Sequence, residues 1–227
     1  MEKLITLDAV AAPLPFDNLD TDQLMPKQFL RGIDKSGLAA GLLYNMRFLP
    51  TGELNPDCIL NRSGFEATRI LCAGPNFGCG SSREHAVWGL YQFGIRAVIA
   101  PSFGEIFYSN CFNNGLLAAR VSAEVSCRLF SALARPEPKK LSISVVDRTI
   151  TTAEGEVYPF ALGKRHRTML LEGLDAVAAT LRDRDEIAAW QAAHEKAFPW
   201  MAKLPGRLRR AHLAAGASVD SHSTNRE

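Results

Sequence analysis

The chain contains five cysteines, Cys58, Cys72, Cys79, Cys111 and Cys127, and no two of them form a C-x-x-C pair. An odd, scattered set of this kind implies free thiols in a reducing compartment. It also argues against a zinc or iron–sulfur site made by this chain alone, because such sites usually draw at least two thiolates from one tight turn. Long apolar runs are lacking as well. Residues 1–30 are interrupted by Asp8, Pro13, Pro15 and Asp17, so neither a signal peptide nor a membrane span is expected, and a cytoplasmic location is the default. The net charge is only +2, and no basic stripe is interleaved with aromatics, so nucleic acid is not an expected partner. There is no internal repeat, no Gly-Lys-Ser/Thr phosphate loop and no G-x-S-x-G elbow. What is present, 47% hydrophobic and 22% charged residues in 227, suits a soluble globular protein able to bury a core.

Strand-like runs at 3–10, 68–73, 96–100 and 141–146 alternate with segments of helical periodicity, which predicts an α/β architecture. The central unit reads as strand TRILCAG, loop PNFGCG, helix SSREHAVWGLYQF stopped at Gly94, then strand RAVIA ended by Pro101. A second helix follows in FGEIFYSNCFNN with Gly115 as its stop, and LLAAR reads as a short strand. VSAEVSCRLFSALA predicts a helix capped by Ser122. LSISVVDRTITTAEGEVYPFAL reads as hairpin strands turning near Glu154-Gly155. Residues 164–197 are helical in pattern, with Gly173 as a break and Asp183 or Asp185 opening the last helix. Residues 1–200 are expected to form one domain, and 201–227 a basic, polar, mostly disordered tail.

The densest chemistry lies in NFGCGSSREHA, from Asn76 to Ala86. A strand running into Gly78-Cys79-Gly80 and on into a helix leaves several backbone N–H groups able to point at one spot, which attracts anions. The glycines permit close approach and backbone angles barred to other residues. Arg83 adds a planar, permanently charged fork suited to a carboxylate. Ser81 and Ser82 offer hydroxyls that can donate to a substrate, or remove a proton if the same N–H groups stabilise an alkoxide. A plainer reading competes, because Ser81-x-x-Glu84 is also the pattern of a capping box. Cys79 near His85 could form a thiol nucleophile pair, although a histidine six residues along is more often a packing or surface group.

These residues resemble a known family, the small subunits of 3-isopropylmalate dehydratase, which are detached counterparts of the swivelling domain of aconitases. The resemblance lies in NFGCGSSREHA, DNLDTDQLMPKQFL, NMRFL, APSFGEIFYSNCFNNGLL and LLEGLDAVAATL, in the family's order, over roughly residues 1–200. It implies an α/β swivelling fold, a β/β/α three-layer domain like the fourth domain of aconitase. It also implies a large-subunit partner carrying a four-iron four-sulfur cluster, with no cofactor or metal on this chain. The expected activity is that of a hydro-lyase working only with the large subunit. Its substrate is a small hydroxy-dicarboxylic acid, and its reaction is the interconversion of 2- and 3-isopropylmalate in leucine biosynthesis.

Carried onto this sequence, the resemblance makes Ser81 the base and Ser82 and Arg83 the carboxylate-binding pair. The N–H groups from Gly80 to Arg83 become the cradle of the alkoxide, while iron on the partner acts as a Lewis acid on the substrate. In Asp20-Thr21-Asp22, which by pattern alone is an Asx-type turn followed by a loop, Asp22 is implied to line the site. Lys27, Phe29 and Arg31 belong to the loop implied to select the substrate side chain. Arg47, in NMRFL, reads as either a further anion contact or a surface charge. Val87 and Gly89 in HAVWGL, and Glu172 and Ala176 in LLEGLDAVAATL, depart from the family's usual HAPWAL and LLNGLDDIGLTL. They leave open a sibling hydro-lyase for citramalate or dimethylmalate. A non-catalytic anion-binding module is a further alternative.

Overall fold

The computed structural model describes residues 1–30, 36–135 and 137–201. Arg31 and the tail beyond Met201 therefore lie outside the described residues. The chain groups into two units, one of Met1–Val177 and one beginning at Ala178. The strands are β1 Thr6–Leu14, β2 Thr68–Ala73, β3 Ala97–Ala100, β4 Leu117–Arg120, β5 Lys139–Ser144, β6 Thr149–Thr151 and β7 Val157–Pro159. The helices are α1 Thr21–Leu24, α2 Tyr44–Arg47, α3 Glu84–Phe93, α4 Glu105–Asn113, α5 Ala123–Leu133, α6 Lys164–Glu172, α7 Ala176–Leu181 and α8 Arg184–Ala197. All the strands belong to the first unit and form one mixed sheet in the order β4-β3-β2-β1-β5-β6-β7.

The two halves of the sheet follow from two sequence textures. β2, β3 and β4 read TRILCA, AVIA and LAAR, almost uninterrupted apolar runs, and nearly every residue in them is buried. Strands covered on both faces need this texture, and β1 to β4 run parallel, with α3 and α4 as crossovers. β5 instead alternates buried with half-buried or exposed positions and pairs antiparallel with β1 and β6. β1 serves both halves. Its Thr6–Ala11 stretch pairs with β5 and its Val10–Leu14 stretch with β2. Pro13 is tolerated because β1 is paired on one side only at that point, so no ladder donor is lost.

Local signals place the helix ends. Gly94 and Gly173 take left-handed angles, φ 110° and 72°, at the C-termini of α3 and α6. Ser122 caps α5 by accepting from the Val125 N–H. Two expectations are corrected. β1 runs on to Leu14 instead of ending at Val10. The stretch 139–159 holds a second turn, at residues 145–148 with Arg148 at φ 58°, so β5, β6 and β7 form a three-stranded meander. In the second unit α8 is exposed along its length apart from one half-buried position, His194.

The core fixes the reactivity of the thiols. Cys72 on β2 is wholly buried, and desolvation pushes its thiol up to about 12. Burial likewise raises Cys111 on α4 well above the usual thiol value, while Cys127 is exposed. A thiol reagent at about pH 8, below the ordinary cysteine pKa, should modify Cys127 in the native protein but reach Cys72 and Cys111 only after denaturation. Native Cys72 reacting as fast as Cys127 would contradict this packing.

Candidate active site

Parallel strands deliver their following loops to one edge of a sheet, and here those loops hydrogen-bond to each other. After β1 and β2, the Gly78 N–H donates to Leu19 O (2.7 Å), Thr21 N–H to Cys79 O (2.9 Å), and Asn18 N–H to Pro75 O (2.9 Å). After β2 and β3, the Phe77 N–H donates to Ser102 O (3.1 Å) and the Gly104 N–H to Phe77 O (2.9 Å). Asn76, at φ 58°, adds its N–H to Ser102 Oγ and its Nδ2 to Asn18 Oδ1. Phe77 pins the middle loop. It is fully buried and packs edge-on against Phe107 (centroids 5.4 Å) and Phe103 (6.4 Å). Truncating such a ring costs about 3–5 kcal/mol, against roughly 1 kcal/mol net for one hydrogen bond, so the aromatic anchor dominates.

Beyond that anchor the chain turns outward. Gly78 (φ 71°) and Gly80 (φ 89°) are both left-handed, and a Cβ at Gly78 would sit 2.3 Å from the Phe107 ring. Gly80, Ser81 and Ser82 are exposed. Neither serine hydroxyl has a partner among the described residues, and nor do the backbone N–H groups of Gly80, Ser81 and Ser82. The Arg83 N–H closes a tight turn onto Ser81 O (2.7 Å), which also accepts the Thr21 Oγ1–H (2.9 Å). Free donors and free hydroxyls thus converge on one exposed turn, which can bind an oxyanion and hold a hydroxyl beside it.

Arg83 leans over this turn and pairs through Nη1 with Asp22 Oδ1. Asp22 lies in α1, a single helical turn with a complete capping box. Asp20 Oδ1 accepts from the Gln23 N–H (2.7 Å), and Gln23 Oε1 accepts from the Asp20 N–H (3.0 Å). The stretch expected as an Asx-type turn is therefore a capped helical turn, which aims Asp22 at Arg83.

The capping box of the competing reading, Ser81-x-x-Glu84, is not formed. α3 starts at Glu84, its N-cap position is Arg83 in extended conformation, and no side chain caps it. The Glu84 carboxylate instead accepts from Asn114 Nδ2 (2.6 Å), whose Oδ1 takes the Trp88 indole N–H (3.0 Å). The physical reason is the left-handed Gly80 and the tight Ser81–Arg83 turn, which use up the residues that would have formed the first helical turn. Ser81 is therefore free of a structural duty at the helix end.

The other candidates divide. Lys27 is exposed on a short 3-10 turn, Lys27–Phe29. Phe29 is half-buried, with its ring 5.0 Å from that of Tyr44. Neither makes a hydrogen bond or ion pair with the 78–83 turn among the described residues. Arg47 is half-buried and tied to the backbone rather than standing as a free surface charge. Its Nη1 donates to Leu42 O (3.1 Å) and Ala39 O (3.3 Å), its guanidinium lies over Phe93, and desolvation lowers its pKa. Cys79 turns its thiol to Asn18 O (3.5 Å) while the His85 ring packs on Trp88, so the thiol–imidazole pair is not formed. Sequence reasoning missed Thr21, whose only signal was its place between Asp20 and Asp22.

This combination, a mixed α/β domain with a glycine turn and a paired arginine where parallel strands end, defines a class: the Aconitase C-terminal domain family matches residues 1–124. The chain is 56% identical over 196 residues to 3-isopropylmalate dehydratase small subunit 1 of Chromobacterium violaceum, covering 86% of this chain and 92% of that protein. It is 44% identical over 201 residues to the 3-isopropylmalate dehydratase small subunit of Phenylobacterium zucineum, covering 88% and 98%. A crystal structure of 3-isopropylmalate dehydratase from Methanocaldococcus jannaschii matches with a TM-score of 0.58 at 26% identity, over 82% of this chain and 99% of that one. The chain belongs to the family of 3-isopropylmalate dehydratase small subunits, and its fold is the α/β fold that the resemblance implied.

The glycine turn sets a stability test. Gly78→Ala adds a left-handed non-glycine residue and a clash with the Phe107 ring, for an expected loss of about 2–4 kcal/mol. Gly155→Ala, at φ 87° but with nothing within 4 Å of its Cβ, should show only the smaller backbone cost of about 1–2 kcal/mol. Denaturant unfolding of the two variants measures the difference, and equal losses would mean that Phe107 does not pack against the turn.

Proposed function

We propose that the chain is the small subunit of a 3-isopropylmalate dehydratase, a cytoplasmic hydro-lyase that interconverts 2- and 3-isopropylmalate by dehydration and rehydration in leucine biosynthesis. Residues 1–200 form the working domain and 201–227 an appended basic tail. The observation that carries the proposal is the exposed turn at Gly80, Ser81 and Ser82, whose N–H groups and serine hydroxyls have no partner among the described residues, with Arg83 beside them. It occurs in a chain 56% identical to a protein named as such a small subunit.

Each group has a role. Arg83 presents to a substrate carboxylate the guanidinium edge that Asp22 leaves open, and Ser82 donates to the same carboxylate. Ser81, as alkoxide, takes the proton from the carbon next to the one that loses its hydroxyl. In the rehydration that completes the isomerisation it delivers a proton to the carbon that lost the hydroxyl, while water adds to the carbon that lost the proton, so the hydroxyl moves to the neighbouring carbon. A serine alkoxide is a costly species in water, and the unpaired N–H groups of Gly80, Ser81 and Ser82 with the nearby guanidinium supply the field that favours it. Among the described residues no three His, Cys, Asp or Glu side chains gather to hold a metal ion. The cluster belongs to the large subunit in this reading, where it would supply a Lewis acid for the departing hydroxyl. No described helix is long and apolar enough to cross a membrane.

Because Ser81 does not cap α3, Ser81→Ala should fold with stability within about 0.5 kcal/mol of wild type and still lose on the order of a hundredfold or more in kcat, measured after reconstitution with the large subunit. Cys79→Ala should keep most turnover. Wild-type kcat in Ser81→Ala would remove the serine from the mechanism. Arg83→Lys keeps the charge but loses the fork, so KM for the diacid should rise while complex formation is unchanged. An unaltered KM would place the carboxylate elsewhere.

A further inference from the structure

Thr21 is one of very few polar residues in the core, with only 1% of its surface exposed. It lies 60 residues from Ser81 in sequence and spends both of its donors on the turn that carries Ser81. Its N–H bonds Cys79 O at 2.9 Å and its hydroxyl bonds Ser81 O at 2.9 Å. Gly80, between those two carbonyls, lies beside Thr21, and a Cβ there would make ordinary van der Waals contact with Thr21 Oγ1 at 3.5 Å.

The consequence follows from the geometry of the peptide group. In a trans peptide the carbonyl oxygen of one residue and the N–H of the next point in opposite directions across one rigid plane, and the chain contains no cis peptide among the described residues. Holding Cys79 O inward therefore turns the Gly80 N–H outward, and holding Ser81 O inward turns the Ser82 N–H outward. These are N–H groups that have no partner among the described residues on the exposed turn. We infer that Thr21 is a positioning residue for the anion-binding turn: by gripping the Cys79 and Ser81 carbonyls it aims the Gly80 and Ser82 N–H groups, and with them the Ser81 hydroxyl, at the bound substrate. The backbone contact alone would leave the second plane held only by the tight Arg83 N–H bond. The Thr21 hydroxyl is what fixes the plane between Ser81 and Ser82.

This inference rests on the assignment of Ser81 as the base, and the experiment separates the two. Thr21→Val keeps the shape of the side chain and removes only the hydroxyl, whereas Thr21→Ser keeps the hydroxyl and removes a methyl. Each variant is co-expressed with the large subunit, and kcat and KM are measured together with thermal unfolding and the yield of assembled complex. Thr21→Val is expected to lose about tenfold to a hundredfold in kcat, the scale of a misplaced reacting group, at undiminished assembly. Thr21→Ser should restore turnover to within about threefold of wild type, although it too leaves a small cavity. In a Ser81→Ala background, Thr21→Val should cost little more, because the two act through one turn. If Ser81→Ala is inactive while Thr21→Val keeps wild-type kcat and KM, or loses activity only in proportion to lost complex, or is as impaired as Thr21→Ser, the positioning role is wrong. If Ser81→Ala is itself active, the assignment of the base fails first, and the inference with it.

Discussion

The site depends on parallel strand pairing that does not stop where the strands stop. β1, β2 and β3 end, but their loops stay hydrogen-bonded from Asn18 to Thr21 on one side and from Ser102 to Gly104 on the other, with residues 75–79 between them. Such close packing of irregular backbone is possible only where side chains are missing. A Cβ at Gly104 would lie 2.5 Å from Gly78 O, and one at Gly74 would lie 2.5 Å from Phe16 O. Glycine's entropic cost is accepted at these points because it lets three loops act as one rigid edge. The 80–83 turn projects from that edge, and among the described residues the N–H groups of Gly80, Ser81 and Ser82 have no partner.

The ion pair between Arg83 and Asp22 fits this arrangement energetically. Asp22 is about half exposed, at 48%, while Arg83 is more enclosed, at 17%. A pair with one partner in water contributes little, about 0–1 kcal/mol. It is strong enough to bias the direction of the guanidinium and weak enough for an incoming carboxylate to share or displace it. A deeply buried pair would hold the arginine too tightly to take part in binding. In the proposed mechanism, the partial exposure of Asp22 lets one carboxylate prepare the place of another.

Much of the fold was legible because its signals are local. The bounds of β2, the glycine stop of α3 and the serine cap of α5 each need only a few neighbouring residues. Misreadings arose where distant contacts decide. Pro13 reads as a strand breaker, yet β1 continues through it because its partner there, β2, lies on one side only. Ser81-x-x-Glu84 satisfies a capping pattern, yet Thr21, from far along the chain, holds Ser81 in a turn and Asn114 engages Glu84. Gly80, Ser81, Ser82 and Arg83 were visible because they are contiguous. Asp22 was reached only through resemblance, and Thr21 not at all, since its role lies in where its two donors point.

The central claim, that this turn presents a base and an anion cradle to a hydroxy-diacid, is tested most directly by a crystal structure of the reconstituted two-subunit enzyme with an unreactive isopropylmalate analogue bound. The account predicts one analogue carboxylate on Arg83 and Ser82, the Gly80 and Ser82 N–H groups facing the ligand, and Ser81 Oγ within about 3–3.5 Å of the carbon that would give up its proton. An analogue bound with Ser81 facing away from it, or with its carboxylates held only by other residues, would contradict it.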